Sequence, residues 1–331
     1  MKKAVLLSVV LLTISGLFAQ TDIEAAATRF NAGVTSFDRD EWDAAIREFT
    51  EAIRLNPNYT DAYIYRGLAY ANNNDYDRAI ADYNEAIRLN PNYAPAYNNR
   101  GIAYQNKRDY DRAIAEYTEA IRLNPNFAEA YNNRGGAYHN KNDFDRAIAE
   151  YTEAIRLNSN FAEAYYNRGR AYRNKNDYDH AIADYNEAIR LNSNYADAYN
   201  NRGNAYNYKR DYDRAMADYT EAIRLNPNFA LAYYNRGNAY NYKRDYDRAI
   251  ADHTEAIRLN PNFAEAYNSR GNAYNYKRDY DRAIADYTEA IRLNPNYAFA
   301  YYNRGAAYRA KGDTARANAD FARARELGYT P

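Results

Sequence analysis

A glycine recurs at Gly33, Gly67, Gly101, Gly135, Gly169, Gly203, Gly237, Gly271 and Gly305, each 34 residues after the last. No other feature constrains the chain as much, because a unit this small cannot bury its own apolar face and must stack against its neighbours. From Gly67 onward a tyrosine stands four residues before each glycine (Tyr63 through Tyr301) and another three after it (Tyr70 through Tyr308). The spacing i, i+4, i+7 draws one stripe along a helix. A short polar gap follows, and then alanine, an aromatic and alanine, as in Ala79, Tyr83 and Ala86, with Ile80 and Ile87 widening the stripe. Each unit therefore predicts two amphipathic helices, each roughly 20 Å long at about 1.5 Å per residue. The gap is too short for anything but antiparallel neighbours. The expected class is all-α, built from antiparallel helix pairs at 26–59, 60–93, 94–127, 128–161, 162–195, 196–229, 230–263, 264–297 and 298–331.

Glycine in a helix interior costs about 1 kcal/mol against alanine, so its recurrence predicts a close approach, expected here to be by another backbone. The LNPN segment ends each second helix, since proline cannot continue one. The asparagine after the proline, with an acidic residue three further on, predicts a capping box for the next helix, as at Asn126/Glu129 and Asn262/Glu265. Aspartates such as Asp75 and Asp77 sit where second helices begin and complement the helix dipole.

The order aromatic, glycine, tyrosine, alanine, aromatic, alanine, proline over 34 residues resembles the tetratricopeptide repeat. Tyr97, Gly101, Tyr104, Ala113, Tyr117, Ala120 and Pro125 occupy it in one unit. The resemblance runs from 26 to 331, with Ser159 and Ser193 in place of proline, His253 in place of the second-helix aromatic, and a first unit whose stripe is rotated to Phe30 and Phe37. It implies a right-handed superhelical solenoid whose first helices line the concave side.

The first 19 residues differ from all that follows. Lys2 and Lys3 precede an apolar run from Ala4 to Leu12, and Ser15, Gly16 and Ala19 come next. This pattern reads as a secretory signal peptide cut after Ala19, with 20–25 as a short lead into the repeats. Ala4–Phe18 is shorter than the ~20 apolar residues that span a bilayer, and no cysteine is present for lipid attachment. The expected location is outside the cytoplasm, periplasmic or secreted, with no membrane span after cleavage. Lysine plus arginine and aspartate plus glutamate both number 44, giving no net charge. Such a balance supplies no bulk attraction to nucleic acid or to an anionic membrane. At the other end, the isoleucine positions that serve neighbouring units become Asn318 and Arg325, as expected of a solvent-facing last helix.

Nothing in the pattern reads as catalytic. His139, His180 and His253 occupy three different repeat positions without partners at ligand spacing. No metal, cofactor or enzymatic activity is expected. The arginine before each glycine (Arg66 through Arg304) is expected to pair with second-helix acids such as Asp82 or Glu116. Tyr208, Tyr242 and Tyr276, each followed by Lys-Arg, read as tyrosines packed across a solvated turn rather than as a nucleic-acid surface.

One polar row remains. Two residues before the glycine stand Asn31, Asn99, Asn133, Asn167, Asn201, Asn235 and Asn303, in helix interiors where asparagine is a poor former. A primary amide both donates and accepts, so a row of them can grip the backbone of an extended polypeptide whatever its side chains. Duplication alone would also copy the residue. The resemblance implies that this row faces the groove, as in relatives that bind extended peptides. It does not extend to relatives that clamp a C-terminal carboxylate with basic residues, since Asp61, Glu129, Glu163, Asp197 and Glu265 stand six before the glycine. The expected function is a non-enzymatic scaffold that binds a protein or peptide in cell-envelope or extracytoplasmic assembly. The alternative is a glycan-binding protein using Tyr166, Tyr234 and Tyr302.

Overall fold

A computed structural model describes residues 21–330, so the expected leader at 1–19 lies outside the described residues. The chain divides at Ser159 into two compact units. The first contains α1 (21–37), α2 (Trp42–Leu55), α3 (Thr60–Asn72), α4 (Tyr76–Leu89), α5 (Ala94–Asn106), α6 (Tyr110–Leu123), α7 (Ala128–Asn140) and α8 (Phe144–Leu157). The second contains α9 (Ala162–Asn174), α10 (Tyr178–Leu191), α11 (Ala196–Tyr208), α12 (Tyr212–Leu225), α13 (Ala230–Tyr242), α14 (Tyr246–Leu259), α15 (Ala264–Tyr276), α16 (Tyr280–Leu293), α17 (Ala298–Ala310) and α18 (Thr314–Glu326). Among the described residues there is no strand. Within each unit every odd helix packs antiparallel on the even helix that follows it, and that even helix packs on the next odd one. Successive odd helices also touch, as α3 does α5 and α11 does α13, whereas successive even helices do not among the described residues. The odd helices therefore form the crowded side of each unit.

The crowding has a residue-level cause. A Cβ added at Gly101 would lie 2.7 Å from Cε1 of Tyr117, and one at Gly67 would lie 2.6 Å from Cε1 of Tyr83. Both rings are fully buried. The expected close backbone is thus an aromatic ring from the same repeat's second helix, lying flat against the glycine. Alanines of the second helix and of the next repeat's first helix close around the ring, as Ala113, Tyr117 and Ala137 do together. The isoleucines flank it, half-buried at Ile114 and buried at Ile80, while Asn318 and Arg325 are exposed.

From α4 onward second helices begin on an aspartate, whereas α2 follows Glu41 without a side-chain cap. The Asp75 side chain accepts from the Arg78 backbone N–H at 3.1 Å, and the same device recurs at Asp211 and Asp279. First helices start differently from expectation. The residue before α7 is Phe127, with no side-chain cap, and the one before α15 is Phe263. The capping box at Asn126 and Asn262 does not form, because the turn is pulled tighter: the Asn126 N–H donates to Asn124 Oδ1 at 3.1 Å, and the Asn262 N–H to Asn260 Oδ1 at 3.2 Å.

First helices end on a left-handed residue. Asn74, Arg210, Arg244 and Arg278 have φ near 60°, and Gly312 takes the corresponding place with φ 85°. The Asp211 N–H then closes back to the Tyr206 carbonyl at 2.9 Å. A side chain in this region costs roughly 1 kcal/mol or more. Arg244→Gly is accordingly expected to raise the urea midpoint, by about 0.5–1 kcal/mol of stability, the gain being trimmed by the unfolded chain's extra freedom. An unchanged or lowered midpoint would contradict the strain.

Candidate functional site

The arginine before each glycine is a structural tie. Arg202 forks onto Asp218 through Nε and Nη2 at 2.8 and 2.6 Å, and its Nη1 reaches back to Asn186 Oδ1 of the preceding second helix at 2.6 Å. Burial lifts Asp218 above the usual carboxylate range, and the bonds from Arg202 pull against that rise. Where the acid is glutamate the fork fails. Arg100 and Arg134 each reach Glu116 or Glu150 through Nη2 alone, and their Nε atoms are buried without an acceptor. The extra methylene of glutamate places its carboxylate out of line with the guanidinium. Where a lysine follows a first helix it makes a further link, Lys243 Nζ lying 2.6 Å from Asp213 Oδ1 on the preceding second helix.

The asparagine row has a partner that its spacing concealed. Asn133 Nδ2 donates to Asn98 Oδ1, Asn235 Nδ2 to Asn200 Oδ1 and Asn303 Nδ2 to Asn268 Oδ1, each at 3.0 Å. Asn201 Nδ2 donates to the Tyr166 hydroxyl at 3.1 Å and to the Asp197 carbonyl at 2.9 Å, and its Oδ1 accepts from Arg173 at 2.6 Å. Apart from the Asp197 carbonyl, each acceptor lies 35 residues back, on the preceding first helix. The row thus ties neighbouring first helices together with its N–H groups. Asn31 is exposed, while Asn99 and Asn167 are half-buried. The residue 35 before Asn99 is Ile64, which offers no acceptor. The residues one step before the row vary, yet those that receive the bond are asparagine or tyrosine, both bearing an oxygen. That restriction was the signal available in the sequence.

In the second unit the first helices line two adjoining hollows. One, of about 540 Å³, is walled by Arg173, Asn204, Asn207, Tyr208, Asn235, Asn238 and Tyr242 among others. The second, of about 990 Å³, is walled by Tyr234, Asn238, Asn241, Tyr242, Asn268, Asn272, Tyr276 and Asn303 among others. Asn238 and Tyr242 belong to both, so the two hollows form one groove. Of the predicted row, Asn235 and Asn303 line it. Much of the rest of its polarity comes from positions one and four after the glycine, which the row did not include. The Oδ1 atoms of Asn207 and Asn241 are buried there with no hydrogen-bond donor. Tyr208, Tyr242 and Tyr276 are each 63 % exposed and stack one face on Tyr178, Tyr212 and Tyr246 of the preceding repeat, at 5.1, 5.2 and 5.1 Å between centroids.

The tyrosines of the alternative reading each pack on an aromatic neighbour, and Tyr234 also walls the groove. Tyr166 packs on Tyr195, Tyr234 on Phe263 and Tyr302 on Tyr329, at 4.8, 4.8 and 4.3 Å. His253 is fully buried beneath Gly237, and burial pushes its imidazole pKa down to about 3. Among the described residues no three His, Asp or Glu side chains are placed to hold a metal ion, and no helix is long and apolar enough to cross a membrane.

Comparison with known proteins agrees with this architecture. Family models described as tetratricopeptide repeat match residues 30–94 and 98–160, residues 196–229, 230–263 and 264–297, and residues 150–183 and 286–317. One described as TPR repeat matches 169–209. No curated protein matches the chain. Among solved structures, the APC/C hetero-tetramer Cut9-Hcn1 is similar at 20 % identity over 83 % of this chain, with a TM-score of 0.62. The chain spans about half of that one, 54 %. PilF of Pseudomonas aeruginosa is similar at 21 % identity over 61 % of this chain and 92 % of its own, with a TM-score of 0.55. MamA is 29 % identical over 50 % of this chain and 96 % of its own, with a TM-score of 0.47. The family models together cover well over half of the residues: the chain belongs to the tetratricopeptide repeat family.

Proposed function

We propose that this chain is an exported, non-catalytic scaffold of nine repeats whose groove, along α11, α13, α15 and α17, holds an extended polypeptide. The observation that carries the reading is the pair of buried amide oxygens, Asn207 Oδ1 and Asn241 Oδ1, one repeat apart and without donors. An acceptor left unpaired in a buried wall costs about 1–3 kcal/mol, and an extended backbone carries N–H groups at regular intervals that meet it once the amide turns toward the groove. Neighbouring helices lie about 8–10 Å apart, which matches about three residues of extended chain. The committed N–H groups of the asparagine row hold the wall in place. Oδ1 of Asn235 and of Asn303 add acceptors to the same wall in the second unit, and Asn133 belongs to the row in the first. Asn31, Asn99, Asn167 and Asn201 complete the proposed row. The apolar leader at 1–19, behind Lys2 and Lys3, supports a place in envelope or extracytoplasmic assembly.

The test separates binding from folding by the sign of two effects. Asn207→Ala removes an unsatisfied acceptor, so the free protein's urea midpoint is expected to hold or rise. The double variant Asn207→Ala/Asn238→Ala is expected to bind peptides selected on the parent protein about three- to tenfold more weakly. Equal affinity for both proteins would contradict the reading. A glycan ligand, gripped instead by Tyr208, Tyr242 and Tyr276, would be insensitive to these two substitutions and would be lost on replacing the tyrosines.

A further inference from the structure

The repeat around Gly169 departs from its siblings at one end of this groove. In three other repeats the buried second-helix tyrosine hydroxyl donates to an amide on its own first helix: Tyr117 to Gln105 at 3.1 Å, Tyr219 to Asn204 at 2.9 Å and Tyr287 to Asn272 at 2.8 Å. The corresponding Tyr185 is fully buried, and its hydroxyl has no partner. The cause is in the sequence. The positions that carry the accepting amide elsewhere, one and four after the glycine, are here Arg170 and Arg173, which can only donate.

Neither arginine is paired with a carboxylate among the described residues. Arg168 beside them forks onto Asp184, as Arg202 does onto Asp218. Arg170 instead lies over the Tyr166 ring, 5.8 Å from its centroid, and Arg173 touches only the amide oxygens of Asn201 and Asn174. Tyr166 packs at 6.0 Å on Tyr185 and accepts from Asn201, so the four side chains form one cluster. Arg173 also forms part of the groove wall. Burial raises the Tyr185 hydroxyl's pKa, and both arginines act against that rise. Two cationic forks without a carboxylate, around a buried O–H without an acceptor, lack one planar anion that accepts from all three.

We infer that Arg170, Arg173 and the Tyr185 hydroxyl form an oxyanion subsite for one internal aspartate or glutamate side chain of the polypeptide held in the groove. The inference rests on the groove reading above and gives it a register: an acidic residue at one end, and backbone pairing beyond it toward Asn207 and Asn241. Arg170 swings off Tyr166 to uncover the hydroxyl as the carboxylate enters.

The probe is a library of random dodecapeptides displayed on phage through their C-terminal ends, so that no free α-carboxylate is present. It is selected on the full chain, on Arg170→Gln/Arg173→Gln and on Tyr185→Phe, with circular dichroism melts to confirm that each protein is folded. The parent is expected to enrich one Asp or Glu at a fixed distance from the rest of the motif, and the arginine variant to lose that enrichment while still selecting peptides. A selected peptide, synthesised with both ends blocked, should bind about tenfold more weakly when its acid is changed to the amide. It should lose a smaller factor on Tyr185→Phe. Peptides selected without an acid would overturn the subsite and leave the groove reading standing. Equal affinity of acid and amide peptides would do the same. No selected peptide at all would overturn both.

Discussion

Alanine in place of Gly135 is expected to destabilise the protein by about 2 kcal/mol, whereas alanine at the adjacent Gly136 is expected to stabilise it by up to about 1 kcal/mol. Both residues lie inside α7, so the helix-propensity gain is the same for both. Their surroundings differ. The new Cβ at 135 would lie 2.7 Å from Cε1 of Tyr151, a ring that is 2 % exposed and has nowhere to move. The new Cβ at 136 meets nothing closer than Gln105 Nε2 at 3.6 Å, an ordinary contact. Urea midpoints of the two variants check this directly. If both shift in the same direction, the recurring glycine is not there to admit the ring.

The second large effect concerns His253, which stands where sibling repeats have tyrosine. Its Nδ1 is buried without a partner, and its Nε2 lies 3.2 Å from Asn241 Nδ2. Desolvation, with a smaller push from Arg270, lowers its pKa from 6.5 to about 3 in the folded chain. The unfolded chain therefore binds a proton that the folded one refuses. The stability His253 allows is intact above pH 6.5 and falls as pH drops toward 3, by roughly 1.4 kcal/mol per pH unit within that window. His253→Tyr should remove this dependence. At pH 7 it should also add about 1–3 kcal/mol by ending the unpaired nitrogen and letting a hydroxyl reach Asn238, as Tyr219 reaches Asn204. Comparing urea midpoints at pH 7 and pH 5 tests both parts. A variant that loses as much as the parent on acidification would contradict the assignment.

Period, helix pairing and the pairing of Arg66 with Asp82 were legible in the residues because each depends on spacing within a single unit. What escaped depends on where units meet. The link from Asn133 to Asn98 spans 35 residues, one more than the period, and no pattern within a unit fixes which residue of the neighbour it faces. The glycine's partner was misjudged for a related reason. A missing side chain announces a close approach and leaves open whether backbone or ring supplies it. The capping box at Asn126 failed because Asn124, two residues earlier, takes the Asn126 N–H first. The groove's unpaired oxygens were hidden altogether, since Asn207 and Asn241 read like any polar residue near a helix end.

The most direct measurement of the central claim places a photo-crosslinking phenylalanine analogue at Tyr242, in the groove, and in a second protein at Glu255, on the even helix α14. Both are irradiated with a selected peptide present. The account predicts a peptide adduct at 242 that is lost in the Asn207→Ala/Asn238→Ala background, and none at 255. Adducts of equal yield at both positions, or at 255 alone, would contradict it.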